Sequence, residues 1–351
     1  MEVDRGLYGA LVVEDPAEPG RYDREAVVIL DDWTDGVGRS PDQLLASLQR
    51  GGMSGMDGTS GMEGMHHGGG MEGMGGTPAD RDPLGGDPGD VLYPLYLVNG
   101  RTPKAPAVLT ARPRQRARLR IINAGADTAF RVALGGHRLT VTHADGFPVR
   151  PVTGDALLIG MGERYDVLVE LGDGTFPLVA VAEGKGDQAL AVVRTSRGAT
   201  PRPDVHPDQL GRRLITVADL QAVAEVDLGK RPPHRTHRLV LEGDMENYRW
   251  TINGQTMHGA TPFEVRSGER VRLVFENRSM MFHPMHLHGH TFQLQRAGNQ
   301  PPGPRKDTVI VRPTQRVTVD FDARNPGRWM LHCHNAYHQA SGMMTTLAYL
   351  P

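Results

Sequence analysis

The chain of 351 residues is long enough for two or three domains that each bury a core. Its 39 basic and 41 acidic residues nearly balance, and the basic residues are not interleaved with aromatic ones, so neither nucleic acid nor an anionic membrane is an expected partner. No apolar run approaches the roughly 18 to 20 residues of a membrane span, and the N-terminus lacks the basic and apolar stretches of an export signal. The single cysteine excludes an internal disulfide.

Short apolar segments dominate the sequence, and many alternate apolar with polar residues and end at Gly, Pro, Asn or Asp. In chain order they include EAVVIL, ARLRIIN, HRLTVTH, RYDVLVEL, ALAVVRT, HRLVLEG, ERVRLVFEN, DTVIVRP and QRVTVDFD. A period of two between turn signals predicts an all-β fold of sandwiches or barrels. The clearest helix is predicted over residues 40–50, with Ser40 as its N-cap and Pro41 in its first turn.

The strands divide the chain into three predicted regions. Residues 1–25 contain one short strand, LYGALVVED, which is too little to fold alone. Residues 26–213 hold one set of strands with a Gly- and Met-rich insertion at 51–76, and residues 214–351 hold a second set. RLRIINAG and VRLVFENRS each follow a turn in their own set, which indicates repeated sandwich domains.

The insertion is too rich in glycine to form a packed core, so we expect a flexible segment. It carries six methionines beside a histidine pair: Met53, Met56, Met62, Met65, Met71, Met74, His66 and His67. Thioethers are soft ligands that select Cu(I) over harder ions. The pattern therefore favours a segment that collects cuprous ions, and the alternative is a linker whose methionine content is incidental.

Histidines are concentrated in two segments of the last region, HPMHLHGH and HCHNAYHQASGM. Their candidate ligands are His283, His286, His288, His332, Cys333, His334, His338 and Met343. Because successive strand side chains point to opposite faces, the two histidines beside Cys333 share one face and the thiol takes the other. By the same alternation, His283 points away from the next two histidines of its segment. The loop after Cys333 can then bring His338 and Met343 to the thiol.

Two imidazoles, one thiolate and a weak axial thioether form the ligand set of an electron-transferring blue-copper centre. The opposite, all-imidazole face suits copper that binds oxygen. A lone buried cysteine is more often a small hydrophobic residue, and HPMHLHGH alone could bind zinc or nickel adventitiously. A structural zinc site would have no need of an axial methionine, so the two segments together favour copper.

With these motifs the chain resembles the multicopper oxidases, the family of laccases, cuprous oxidases and copper-resistance oxidases built from tandem cupredoxin-like Greek-key sandwiches. Residues 118–171 resemble the family's middle domain, and TINGQTM through LHCHNAYHQASGMM resembles its last domain. The resemblance implies extracytoplasmic oxidation of Cu(I) or phenolic donors, with four electrons passed to dioxygen and a role in copper tolerance. It also implies a type 1 copper on His283, Cys333, His338 and Met343, a type 2 copper served by His286, and a type 3 pair served by His288, His332 and His334.

The sequence departs from the family in its histidine count. A trinuclear cluster needs eight histidines, and the family's first domain supplies four of them in two His-x-His pairs that this sequence lacks. We therefore expect residues 1–25 to be the remnant of a first cupredoxin domain, with Met1 lying inside a longer oxidase. A carboxylate that follows the type 1 histidine in several bacterial relatives is here Gln339. The alternative is a copper-binding or electron-transfer protein that does not reduce oxygen.

Overall fold

The computed structural model describes residues 2–15, 21–51, 82–298 and 300–351. The methionines and histidines predicted to form the copper-collecting insertion lie outside these residues. Within them the regular structure is mostly strands, arranged in four sheets, which confirms the all-β prediction. None of the helices in these ranges is long and apolar enough to cross a membrane.

Twelve strands form the first two sheets. They are β1 (Arg24–Trp33), β2 (Leu95–Val98), β3 (Ala107–Thr110), β4 (Arg116–Asn123), β5 (Phe130–Leu134), β6 (Leu139–Ala144), β7 (Phe147–Gly154), β8 (Ala156–Ile159), β9 (Arg164–Glu170), β10 (Thr175–Ala182), β11 (Gln188–Arg194) and β12 (Leu214–Ile215). Sheet 1 has the order β2-β1-β4-β9-β6-β7 and sheet 2 the order β12-β8-β5-β10-β11-β3. Strands β5 and β8 are buried along their whole length, and buried apolar residues of both sheets belong to one core, so the two sheets enclose it.

Eleven strands form the other two sheets. They are β13 (Arg235–Asp244), β14 (Arg249–Ile252), β15 (Phe263–Val265), β16 (Arg270–Asn277), β17 (His283–Leu287), β18 (Phe292–Leu294), β19 (Arg305–Lys306), β20 (Thr308–Val311), β21 (Arg316–Asp322), β22 (Arg328–Cys333) and β23 (Met344–Tyr349). Sheet 3 has the order β14-β13-β16-β21-β18-β19 and sheet 4 the order β15-β23-β22-β17-β20.

Sheets 1 and 3 repeat one topology. In each, a ten-residue strand pairs in parallel with an eight-residue strand and antiparallel with a four-residue strand. The repeat extends to side chains, because Asn123 and Asn277 end the corresponding strands β4 and β16. Each amide donates to two backbone carbonyls at 2.7 to 3.1 Å. The shared ending of RLRIINAG and VRLVFENRS is thus a structural device that holds the turn after the strand.

The predicted helix is present as α1 (Pro41–Gly51), and a second short helix, α2 (Ala336–Ala340), follows β22. Ser40 begins α1 by a reciprocal exchange with Gln43: the Ser40 N–H donates to Gln43 Oε1 at 2.9 Å, and the Gln43 N–H donates to Ser40 Oγ at 3.4 Å. Within the described ranges, four single-turn 3₁₀ helices lie at Val3–Arg5, Asp208–Gly211, Val217–Asp219 and Ala224–Val226.

The strand predicted at LYGALVVED is wrong. Residues 7–15 join no sheet of the described chain, and Leu11 and Val13 are 88% and 80% exposed. Alternating apolar residues supply the pattern of a strand but not its partner, and a strand without hydrogen-bonded neighbours has no ladder to stabilise it.

Hydrogen bonds to two buried carboxyls nevertheless attach the N-terminal residues to the rest of the fold. Asp4 is 1% exposed and accepts hydrogen bonds from the hydroxyls of Tyr93 at 3.2 Å and Tyr337 at 2.5 Å. Tyr8 donates to Asp31 Oδ2 on β1 at 2.7 Å. Burial, together with the charge of Asp32, raises the pKa of Asp4 to about 7 and that of Asp31 to about 8. Both carboxyls therefore hold protons well above their ordinary range.

Stability should decline as the pH rises towards these values. The folded pKa of Asp31, about 8, lies above its ordinary value of 3.8, so the protonated carboxyl stabilises the fold fully at low pH, and this contribution falls from about pH 4 upwards and is gone above about pH 8. Asp31→Asn cannot ionise and should flatten the decline between about pH 4 and pH 8. Urea unfolding of both proteins across that window checks this. Parallel curves would contradict the assignment.

Candidate metal centre

One group of donor atoms gathers around the only cysteine. The Sγ of Cys333, at the end of β22, lies 3.7 Å from His283 Nδ1 and 3.8 Å from His338 Nδ1, and the two Nδ1 atoms are 3.1 Å apart. All three residues are fully buried. These atoms, here called the thiolate group, lie within 4.8 Å of one another and can hold one metal ion.

The outer nitrogen of each imidazole in the thiolate group has a partner of its own. His338 Nε2 donates to Asp90 Oδ2 at 2.8 Å, and His283 Nε2 shares a hydrogen bond with Ser279 Oγ at 2.7 Å. Both rings are thus oriented with Nδ1 towards the sulfur. Outer contacts of this kind fix ring orientation in metal sites.

The two rings differ in charge before a metal binds. Burial lowers the pKa of His283 well below its ordinary value, so that ring is neutral. Burial also acts on His338, but the Asp90 carboxylate outweighs it and raises the pKa to about 10. A proton between the two Nδ1 atoms must therefore leave when a metal binds.

The loop that carries His338 is closed by backbone and side-chain contacts. The N–H of Met343 donates to the carbonyl of His338 at 3.0 Å, and the N–H of Cys333 donates to the carbonyl of Met343 at 3.0 Å. Asn335 caps α2 and also donates to Asp127 at 2.6 Å, which ties this loop to the first pair of sheets. Met343 is fully buried, as a ligand on the thiol side would be.

A second group of donor atoms lies on the other side of the same strands. His286 and His332 are directly opposite in the pairing of β17 with β22, and His288 follows the end of β17. His288 Nε2 and His332 Nε2 are 2.9 Å apart. The ligand atoms of these three residues, here called the imidazole group, lie within 4.8 Å of one another.

Two rings of the imidazole group donate Nδ1–H to backbone carbonyls, His286 to Asp307 at 2.9 Å and His332 to Cys333 at 2.9 Å. A carbonyl only accepts, so Nδ1 carries the proton and Nε2 keeps a free lone pair. Burial lowers the pKa of His332 to about 3. Burial also lowers the pKa of His288, so these two rings are neutral near pH 7 and available to a metal.

His334 lies beside the imidazole group without joining its converging donor atoms. Its ring centroid is 5.9 Å from those of His286 and His332, and burial lowers its pKa to about 4. The ring packs against Gly162, where a Cβ would lie 2.3 Å from a ring carbon. His334 is thus the one predicted histidine that the structure places near the imidazole group but not within it.

Both groups suit copper by donor chemistry. The thiolate group combines a soft sulfur with two imidazoles, which accommodates both Cu(I) and Cu(II), and the imidazole group offers three converging imidazole nitrogens. Two groups back to back on one pair of strands match the two-faced arrangement expected from the sequence.

Three contacts of the thiolate group were not foreseen from the sequence. Asp90 and Ser279 bond its imidazoles, and the ring of Trp250 lies over His338 with 3.9 Å between centroids. Ser279 is only four residues before His283, so its closeness in sequence could have indicated this hydrogen bond. Asp90 is 248 residues from its partner, and no spacing rule could have found it.

Comparisons with known proteins identify the class. The multicopper oxidase family matches residues 24–198 and 230–351. Multicopper oxidase MmcO of Mycobacterium tuberculosis is 50% identical over 350 residues, which is 100% of this chain and 67% of that protein. Copper resistance protein A of Escherichia coli is 27% identical over 458 residues, covering 98% of this chain and 74% of that protein. This chain thus spans about two thirds to three quarters of these relatives.

Solved structures share the fold. Fet3p, a multicopper oxidase that functions in iron import, superposes with a TM-score of 0.73 at 20% identity, covering 96% of this chain and 68% of that one. The laccase of Botrytis aclada gives 0.66 at 22% identity, covering 93% and 64%. The sheets therefore form cupredoxin-like sandwiches, as expected. The chain belongs to the multicopper oxidase family, whose members are copper-binding oxidoreductases.

Removing the charge at Asp90 tests the thiolate group. In Asp90→Asn the partner of His338 Nε2 becomes neutral and the ring is held less firmly, so copper affinity should fall about 10- to 100-fold. Competition with a copper chelator, followed by the blue absorption, measures the change. Asp320→Asn, which removes a buried carboxylate bonded to Arg272 on β16, is the control and should leave the affinity unchanged. Equal affinity in Asp90→Asn and the parent would contradict the role.

Proposed function

We propose that the chain takes single electrons from a reducing donor at the thiolate group and passes them to dioxygen at the imidazole group. Copper, when bound, supplies the one-electron chemistry at the first group and the reduction of oxygen to water at the second. The observation that carries the proposal is the adjacency of Cys333 and His332. These neighbours belong to different groups, and His332 Nδ1 donates to the Cys333 carbonyl at 2.9 Å, so covalent bonds and one hydrogen bond join the groups.

The proposed ligand roles follow the family resemblance, and the two converging sets, His283 with Cys333 and His338 and His286 with His288 and His332, support six of them. Type 1 copper would be held by His283, Cys333, His338 and Met343, type 2 copper by His286, and the type 3 pair by His288, His332 and His334. Of the chain's own residues, Cys333, His332 and His334 carry electrons between the sites. The described chain supplies only half of the histidines of a full trinuclear cluster.

Cu(I) is the proposed donor, with phenols as the broader class. His338 is fully buried and its Nε2 is occupied by Asp90, so a bulky donor does not reach the ring itself. Gln49, near the end of α1, donates to Ser341 at 3.4 Å, beside the loop between His338 and Met343. Helix α1, which ends at Gly51, therefore lies beside this loop, and this supports delivery of cuprous ions to the thiolate group by the methionines that follow in the sequence.

A role in copper tolerance, outside the cytoplasm, is proposed with this donor. Relatives named copper resistance protein A support it, and an exposed methionine, Met280, adds a soft donor beside Ser279. The second candidate function is electron transfer without oxygen reduction. It is favoured by the imidazole group of the described chain, where three histidines converge rather than eight. Oxygen uptake by the copper-loaded chain with Cu(I) separates the two functions.

Cys333→Ser should abolish the blue absorption of the copper-loaded chain, because a serine oxygen cannot replace the soft thiolate. Electron entry from either donor should be lost with it. The absorption spectrum after copper loading is the measurement. His237→Gln, at a histidine bonded only to the Glu264 carbonyl, is the matched control and should stay blue. A blue Cys333→Ser protein would refute the thiolate assignment.

Deleting residues 51–76 should lower turnover with Cu(I) much more than turnover with a phenol, because only the cuprous ion is expected to use the methionines. Oxygen-uptake rates with both donors give the comparison, and an unchanged blue absorption shows that the thiolate group is intact. Equal losses with the two donors would count against a cuprous role for the insertion.

A further inference from the structure

The first pair of sheets contributes no atom to the thiolate or imidazole group, yet one of its turns reaches the histidines of the second pair. This turn, residues 160–163, joins β8 to β9, whose first residue is Arg164. We propose that it positions the imidazole group, with Arg164 fixing the orientation of His286 through Asp307. The inference rests on the proposed function. It assigns the first pair of sheets, which holds no donor atom, a role in orienting the histidines of the imidazole group.

Arg164 makes a bidentate ion pair with Asp307. Nη1 donates to Oδ1 at 2.6 Å and Nη2 to Oδ2 at 2.7 Å, a two-point fit that fixes the carboxylate plane. Nη1 also donates to the carbonyl of Gly162 at 3.0 Å, which anchors the guanidinium on this turn. A lysine could hold the charge of Asp307 but not its plane.

Asp307 in turn determines how His286 is held. Its carbonyl accepts Nδ1–H at 2.9 Å, and its Oδ1 lies 3.5 Å from the same nitrogen. Thr308 Oγ1 lies 3.0 Å from that nitrogen and donates to Asp307 Oδ1 at 2.9 Å. While Arg164 holds the carboxylate, Nδ1–H faces the carbonyl and Nε2 faces the imidazole group. If the carboxylate is released, Thr308 Oγ1 loses its acceptor and can donate to Nδ1 instead, which places the ring hydrogen on Nε2 in part of the molecules.

A cluster of buried charges also holds the backbone next to Asp307. Lys306, fully buried, places Nζ 3.1 Å from Asp145 Oδ2 and 3.2 Å from Glu163 Oε1. Asp145 Oδ2 also accepts the N–H groups of Asp307 and Thr308, each at 3.2 Å. Because buried charges are costly without partners, this cluster locks the 306–308 backbone to the first pair of sheets.

The same turn fixes His334. Gly162 has φ +78°, a conformation that favours glycine, and its missing side chain leaves room for the ring of His334. One turn thus contacts two histidines, His334, directly after β22, by packing, and His286 on β17 through Asp307. Neither contact depends on a metal.

The test compares Arg164→Gln with Arg272→Gln in the full chain. Arg272 makes an equivalent two-point contact with Asp320, at 2.8 and 2.9 Å, and its side chain is 33% exposed against 34% for Arg164. The two changes therefore remove similar ion pairs, but only one of these lies next to an imidazole. Arg164→Lys, which keeps the charge, is the milder variant should Arg164→Gln fail to fold.

The first readout needs no copper. Long-range ¹H–¹⁵N spectra of the metal-free chain report which ring nitrogen of His286 carries hydrogen. The parent and Arg272→Gln should show the Nδ1–H form alone, and Arg164→Gln should show a mixture of both forms, with Arg164→Lys between them. A pure Nδ1–H form in Arg164→Gln, or in Arg164→Lys if only that variant folds, would overturn the proposal.

The second readout is copper binding. Arg164→Gln should bind type 2 copper about 10- to 100-fold more weakly, seen by electron paramagnetic resonance, while the blue absorption of the thiolate group is unchanged. Equal loss of both signals would point to a general structural role and overturn the positioning role. A parent chain that shows no blue absorption would instead refute the proposed function, and the spectra of the metal-free chain would still decide the role of Arg164.

Discussion

The alternation of side chains on two paired strands is the constraint on which the rest of the site depends. Where β17 lies against β22, Met285 faces Cys333 and His286 faces His332. Because neighbouring residues point to opposite faces, one peptide unit places a thiol on one side and an imidazole on the other. A shift of the pairing by a single residue would exchange the two faces, so the strand register specifies both metal-binding groups.

Register alone does not make a metal site, because the rings must also be neutral and correctly turned. Burial keeps His283, His332 and His334 uncharged near pH 7. Ser279 Oγ and the Cys333 carbonyl then occupy the outer ring nitrogens of His283 and His332. His338 is the exception, since Asp90 raises its pKa, and it must release a proton to bind copper. A second contact of this kind, which determines the ring nitrogen that is offered, is made by His283, His286, His332 and His338.

Much of this organisation was predictable because it is local. Period-two alternation revealed the strands, and the spacing of HPMHLHGH and HCHNAYHQASGM separated the two faces of the site. The strand predicted at LYGALVVED failed for the opposite reason, since pairing depends on a distant partner that no local pattern specifies. Asp90 and Arg164 escaped prediction likewise, because they reach their partners across 248 and 143 residues. Chemistry carried by neighbours in sequence can be recognised, and contacts made only by folding cannot.

The buried lysine described above has a consequence for the evolution of the family. Lys306 belongs to the ligand-bearing sandwich, but the carboxylates that neutralise it, Asp145 and Glu163, belong to the other. A recombination event that exchanged one sandwich for that of a distant relative would leave either a buried cation or two buried anions without a counter-charge. Such hybrids would be selected against before their catalysis was ever tested. The two sandwiches are therefore expected to be inherited together, as a single unit of descent.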